Sequence, residues 1–295
     1  MSSISLPITE AEKDFGLVAG WGEFPVRIAR ALAEQGYRVH CAAIRGHADP
    51  ILKEICDSHR VFGMGQMGAQ VRFLKRSGVR NATMAGKIFK TLLFQRKRDL
   101  LRHLPDITCL RFFYPMMIGR TRDRRDDTLL GTVVQLYQSR GITFAPATDF
   151  APELLVKSGV LTRKIPSESQ MSDIEFGWKI AKAMGGLDIG QSVVVKNQAV
   201  MAVEAIEGTD ECIQRAGSLC QGGFVVVKVA KPNQDMRFDV PTVGTGTIET
   251  IHRAGGNVLA IEAGRTIILE EEKLIEVANR LGITVVAVSE SQFAN

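Results

Sequence analysis

Short apolar runs alternate with longer amphipathic stretches along most of the chain, which is the rhythm of a β-α-β protein. FGLVAGWG at 15–22 predicts a buried strand ending in glycines. A helix follows over Pro25–Gln35, with proline in its first turn and Gly36 just past its end. YRVHCAAI predicts a second strand, RVFGMG near 60–65 a third and VRNATMAG near 79–86 a fourth, with a helix over MGAQVRFLKRSG between the last two. Two basic helical stretches, around 91–103 and 123–140, and a fifth strand, ITFAP at 142–146, complete the first half. Such an order predicts a parallel sheet with helices on both faces.

After Asp149 the pattern breaks. PELLVKSGVLTRKIPS is irregular and carries two prolines, which places a domain boundary at about 147–152 and divides the chain into 14–147 and 152–290. Beyond it, a helix is predicted from Glu168 to Met184. QSVVVKNQAVMAVEAI reads as two strands joined at Lys196–Gln198. A helix over TDECIQRAG has Thr209 in place to cap it. Strands at GGFVVVKVA, NVLAIEAG and ITVVAVS alternate with helices at GTGTIETIHRAG and LEEEKLIEVANRLG. The second half is thus also α/β, without repeating the first.

Composition adds a globular class: 45% hydrophobic and 23% charged residues over 295 positions. The start, MSSISLPITEAEKD, has neither the basic nor the apolar region of a signal peptide, so a cytoplasmic protein is expected. The five cysteines (Cys41, Cys56, Cys109, Cys212, Cys220) include no C-x-x-C pair and read as reduced, mostly buried thiols. The net charge of +5 is uneven: Lys87 to Arg125 holds eleven basic residues against three acidic ones, a local +8. Such a field attracts phosphate groups or an anionic membrane surface. Phe112, Phe113 and Tyr114 stand as one apolar clump rather than as spaced stacking platforms, which argues against a nucleic-acid partner.

The candidate chemistry lies on loops after strands. Gly20-Trp21-Gly22-Glu23-Phe24-Pro25 occupies the position of a phosphate-binding glycine loop, where backbone N–H groups and a helix N-terminus can meet an anion. It reads G-x-G-x-x-P, however, and the second strand runs into Ala42, Ala43, Ile44 and Arg45 without the acidic residue that grips a ribose. Gly86-Lys87 offers close backbone plus a point charge; Asp126-Asp127 sits near a helix start. In the second half Glu204, Glu207 and Asp210, then Asp239, then Glu262 follow successive strands. If those strands are neighbours, three carboxylate-bearing loops converge with Lys228, Lys231, Arg237 and Arg265 at one sheet end. Loops of mixed sign suit phosphoryl transfer on a diphosphate with a magnesium-type ion, which takes few protein carboxylates.

Six phrases together, AGWGEFP (19–25), MAGKI (84–88), DDTLL (126–130), VVVKNQAVMAVEAIEGTD (193–210), VKVAKPNQDMRFDVPTVG (227–244) and AIEAGRTIIL (260–269), resemble the UDP-2,3-diacylglucosamine pyrophosphohydrolases of lipid A biosynthesis. The likeness is to the two-domain kind unrelated to calcineurin-like phosphatases, and it spans about 15 to 289. It implies a Rossmann-like N-terminal parallel-sheet domain, a C-terminal mixed α/β domain and a ligand cleft between them. It implies magnesium-dependent hydrolysis of UDP-2,3-diacylglucosamine to 2,3-diacylglucosamine 1-phosphate and UMP, with Mn2+ as a substitute ion. The family's R-x-D-[LV]-P motif falls on Arg237-Phe238-Asp239-Val240-Pro241, so the catalytic role goes to Asp239, which binds metal, orients water or does both. Arg237 and Lys228 join it as catalytic candidates, and Glu207 and Asp210 as further metal ligands. Substrate contacts implied in the first half are Gly20, Gly22, Pro25, Gly86 and Lys87; those in the second are Gln191, Thr209, Lys231, Glu262 and Arg265. The inner-membrane surface is the partner such an acylated substrate implies, and a homo-oligomer is left open.

Two other classes compete. An NAD(P)-dependent oxidoreductase rests on the glycine loop, and the missing acidic residue speaks against it. A non-catalytic nucleotide- or lipid-binding protein would use the basic segment alone.

Overall fold

The computed structural model describes residues 13–88, 102–118, 126–268 and 270–293, with backbone only at 115–118 and 126–129. The chain forms two compact units: one of residues up to Ala151 with Met236–Phe238, the other of Pro152–Asp235 and Asp239 onward.

The first unit is built on strands β1 (Asp14–Ala19), β2 (Arg38–Ile44), β3 (Ser58–Phe62), β4 (Asn81–Ala85) and β5 (Thr143–Phe144), in the order β3-β2-β1-β4-β5. All neighbours are parallel, the order of the first five strands of a doubly wound sheet. Helix α1 (Phe24–Glu34) buries Pro25, Ile28, Ala29 and Leu32, one face at helical spacing, and takes Pro25 in its first turn. Gly16 is needed at the centre of β1, because a Cβ there would stand 2.9 Å from that of Ala82. After α2 (Leu52–Ile55) and α3 (Met67–Arg76) comes a helix the hydrophobic pattern did not suggest, α4 (Ile107–Ile118). Asp106 starts it, accepting from Cys109 N, and its other oxygen accepts from Ala69 N in α3, both at 2.9 Å. Helix α5 (Asp126–Gln138) lies within the second predicted basic stretch, whereas most of the first, 91–103, lies outside the described residues.

The second unit holds a six-stranded mixed sheet. Its strands are β6 (Gly159–Val160), β7 (Ser192–Lys196), β8 (Ala199–Val203), β9 (Val225–Lys228), β11 (Val258–Glu262) and β13 (Thr284–Val288), ordered β6-β13-β11-β9-β7-β8. β9, β11 and β13 are parallel; β7 runs against both β9 and β8. A two-stranded sheet pairs β10 (Thr242–Val243) with β12 (Ile267–Ile268). The strands β7, β9, β11 and β13 are near-continuous apolar runs, rich in valine, because both their faces are covered. Helix α6 (Glu168–Gly186) packs Ile174, Trp178 and Ala181 on Val193, Val195, Val225 and Val227. Helices α7 (Thr209–Leu219), α8 (Thr245–Arg253) and α9 (Glu271–Leu281) cover Val194, Val226, Leu259 and Val285 on the other face. The β7–β8 turn sits where the sequence placed it. Asn197 and Gln198 take φ of 52° and 56°, a two-residue turn with both positions left-handed. The Asp173 carboxylate holds it, accepting from the N–H groups of Asn197 at 3.0 Å and Gln198 at 2.6 Å.

Among the described residues no helix is long and apolar enough to cross a membrane.

Candidate functional site

Because β8, β9 and β11 run the same way, Glu204, Lys228 and Glu262 emerge at one end of the second sheet, and β7 begins there with Gln191 and Ser192. The convergence expected from the sequence is therefore real for these loops. Lys228 is buried, and its Nζ donates to Thr209 Oγ1 at 3.0 Å. Thr209 Oγ1 donates to Glu204 Oε1 at 2.9 Å and lies 3.4 Å from Ser192 Oγ. Thr209 was expected to cap its helix, and it does not: Gly208, with φ of 87°, is the cap residue, and Thr209 is the first helical residue, its hydroxyl turned to the sheet. The Gln191 amide oxygen and Glu204 Oε2 are buried at this sheet end with no hydrogen-bond partner among the described residues.

The loop from Lys231 to Pro241 is tied down by polar contacts. Gln234 accepts from Lys231 N at 2.9 Å and donates to Asp239 O at 2.8 Å and to the Asp239 carboxylate. Lys231 Nζ reaches Asp188 Oδ1 at 2.7 Å. Arg237 and Asp239 sit half-buried in this loop, and Arg265 half-buried in the Ala263–Arg265 turn, where Gly264 has φ of 71°. Glu262, expected as a substrate contact, is engaged by the protein itself. It is buried, accepts Lys182 Nζ on both oxygens at 2.8 Å and takes the Ala230 N–H at 2.7 Å. Its carboxylate anchors the root of the loop to Lys182 and Ala230. The sequence reading missed Lys182, Asp188 and the role of Glu204. The signal for Lys182 was its place one turn after Trp178, a lysine on an otherwise apolar helix face.

The metal set Asp239, Glu207 and Asp210 is not assembled as one group. Among the described residues no three His, Cys, Asp or Glu side chains are placed to hold an ion together. Glu207 pairs with Arg215, whose hydrogen bond holds its carboxyl below the usual range, and also accepts from Ala205 N. Asp210 is exposed in the first turn of α7. A magnesium-type ion keeps several waters and takes few protein carboxylates, so the absence of such a group among the described residues does not exclude one carboxylate serving it.

In the first unit the glycine loop serves the protein's own backbone. Trp21 N donates to Lys87 O at 2.8 Å and Lys87 N to Trp21 O at 3.0 Å, bridging the β1–α1 loop to the loop after β4. A Cβ on Gly20 would stand 2.8 Å from Lys87 O, and one on Gly86 would stand 2.7 Å from Pro25 Cγ. The close approach of two loops accounts for Gly20, Pro25 and Gly86. At Gly22, φ of 104° accounts for the glycine. Burial pushes the Cys109 thiol up to about 11 and Cys212 up to about 12, so neither is a thiolate nucleophile near neutrality.

The chain matches the model described as the LpxI N-terminal domain over residues 14–154, and that of the LpxI C-terminal domain over residues 157–286. It is 31% identical over 284 residues to UDP-2,3-diacylglucosamine pyrophosphatase LpxI of Caulobacter vibrioides, covering 94% of this chain and 98% of that protein. Among solved structures, CobK precorrin-6A reductase overlaps 93% of this chain and 87% of its own at 13% identity and a TM-score of 0.31, too slight a likeness to bear on the fold.

Proposed function

The chain belongs to the LpxI family, and on that premise we propose that it hydrolyses the diphosphate of UDP-2,3-diacylglucosamine to 2,3-diacylglucosamine 1-phosphate and UMP. The observation that carries the reading is the match of both halves to the two domains of one family, together with a sheet end that gathers Lys228 and the loop bearing Asp239. In the reaction a water oxygen bonds to one phosphorus, the bridging P–O bond breaks, and the bridging oxygen leaves with the electron pair on the other phosphate. Two demands follow: a group to orient or deprotonate the water, and cations to take the charge that develops on the phosphates.

Asp239 meets the first demand, and the Gln234 amide that donates to its carboxylate fixes its orientation. Lys228 meets the second, with Arg237 beside Asp239 in the chain. Lys231 lies at the loop's root, balanced by Asp188. A magnesium ion, replaceable by manganese, would be held by Asp239 and the substrate phosphates and would supply charge neutralisation. The acyl chains place the enzyme at the cytoplasmic face of the inner membrane as a peripheral protein. Exposed Ile107, Leu110 and Tyr114 share one face of α4 beside Arg111, a surface suited to an anionic interface.

The test is turnover of UDP-2,3-diacylglucosamine by wild type and Asp239→Ala. The variant should lose about 10²–10⁴-fold in kcat and keep its fold, and the wild type should lose activity in chelator and regain it with Mg2+. A variant keeping more than about a tenth of kcat would remove Asp239 from the chemistry, because a positioned acid–base group contributes at least about 100-fold.

A further inference from the structure

Three polar side chains form a row at the rim of the second sheet, where its pattern would place apolar ones. Ser192 pairs laterally with Lys228, and Glu204 N donates to Ser192 O at 2.9 Å, so the row crosses β8, β7 and β9. These residues continue the face of Ala202, Val194 and Val226, which is core under α7 to α9. Glu204, Ser192 and Lys228 are 8%, 0% and 7% exposed. Thr209 stands over the row and links it. An ammonium only donates and a carboxylate only accepts, so the single hydroxyl proton of Thr209 is committed to Glu204 and its lone pair to Lys228. The chain has one direction and is charge-assisted at both ends.

Glu204 Oε2 has no partner among the described residues although it is buried. A buried carboxylate with one oxygen unmatched is a poor way to stabilise a sheet edge, since an apolar residue would pack there without the desolvation penalty. An unsatisfied buried polar group in a native protein calls for an explanation, and a part in the chemistry is one.

We propose that Glu204 is a positioning residue: acting through Thr209, it holds the Lys228 ammonium in one orientation for the diphosphate of the substrate. The inference rests on the reading of the activity given above, in which Lys228 meets that diphosphate.

The experiment measures kcat and KM on UDP-2,3-diacylglucosamine for Glu204→Gln, Thr209→Val, Thr209→Ser and the double variant Glu204→Gln/Thr209→Val. The first two should each lower kcat by about 10–100-fold with KM moved less than about threefold, the pattern of a misplaced group. Thr209→Ser keeps the hydroxyl and should stay within about fivefold of wild type, and the double variant should be no slower than the slower single, because both act through one chain. Thr209→Val at wild-type kcat, Thr209→Ser as slow as Thr209→Val, or losses that multiply in the double variant would each overturn the proposal. If Glu204→Gln does not fold, the two Thr209 variants, which change only a methyl or a hydroxyl, decide it. If the wild type turns over no UDP-2,3-diacylglucosamine, the reading of the activity fails on its own. The chain of contacts is then judged by a urea-unfolding cycle of Glu204→Gln and Lys228→Met. Coupling should make the double variant's unfolding constant differ at least about fivefold from the product of the singles, and no coupling would overturn the chain.

Discussion

Replacing Glu262 by glutamine removes a charge and keeps the shape, and the surrounding geometry sets the consequence. Both carboxylate oxygens lie 2.8 Å from Lys182 Nζ, and Oε2 also takes the Ala230 N–H at 2.7 Å. The side chains of Glu262 and Lys182 are 6% and 17% exposed, so solvent screens the pair little. Removing one partner of a buried pair costs about 3–5 kcal/mol. Lys182 retains the Ala230 carbonyl at 3.1 Å and the Trp178 ring at 5.1 Å, which places the expectation at the lower end, about 3 kcal/mol. In a unit of roughly 140 residues, an unfolding entropy of about 2.1 cal/mol/K per residue turns that into a fall of about 10 °C in Tm. Calorimetry at neutral pH with a urea midpoint beside it reads the change. Exchanging both charges, Lys182→Met with Glu262→Leu, should recover part of the loss and leave about 1–3 kcal/mol for the Ala230 N–H without its acceptor. The alternative is the substrate contact that the sequence suggested. A Glu262→Gln protein that melts within about 2 °C of wild type, a shift under about 1 kcal/mol, yet loses turnover would refute the anchoring role and restore that contact.

Arg38 and then His40, each 2.8 Å from Asp14 Oδ1, hold the Asp14 carboxyl well below its usual range. A depressed folded-state pKa contributes stability above the unfolded value of about 3.9 and loses it as pH falls through the folded value. The urea midpoints of wild type and Asp14→Asn should therefore differ more at neutral pH than at about pH 2.5, and an equal gap would contradict the assignment. Gln198→Gly relieves the left-handed φ of 56° while Asp173 still accepts from both turn N–H groups, and should raise stability by about 0.5–1 kcal/mol; a lower melting temperature would count against the strain. Co-sedimentation with anionic vesicles should be reversed by salt and weakened by Leu110→Asp with Tyr114→Asp, whereas retention equal to wild type would remove α4 from the membrane contact.

Local periodicity determined most elements, because burial on one helix face or on both faces of a strand is written into neighbouring residues. The valine runs of β7, β9 and β13 and the Asn197-Gln198 turn were legible for that reason. So were the motif that carries Asp239 and the family to which the chain belongs, since a run such as KPNQDMRFDVPT is specific without any knowledge of its surroundings. Helix α4 left only the weak signal of Asp106 ahead of an apolar run, since Pro115 inside that run reads as a helix breaker. What each polar residue does was decided by contacts between distant parts of the chain. Glu262 became an anchor because Lys182, 80 positions earlier, lies on the helix that covers the same face of the sheet. Gly20 and Gly86 read from the sequence as a phosphate cradle; only the packed loops show that the bridge between Trp21 and Lys87 also demands glycine at both positions. Thr209 looked like a helix cap, and strand pairing turned its hydroxyl to Glu204 and Lys228 instead. Spacing along a strand says which face a side chain takes, but register between strands says which side chains meet, and register is a property of the packed sheet.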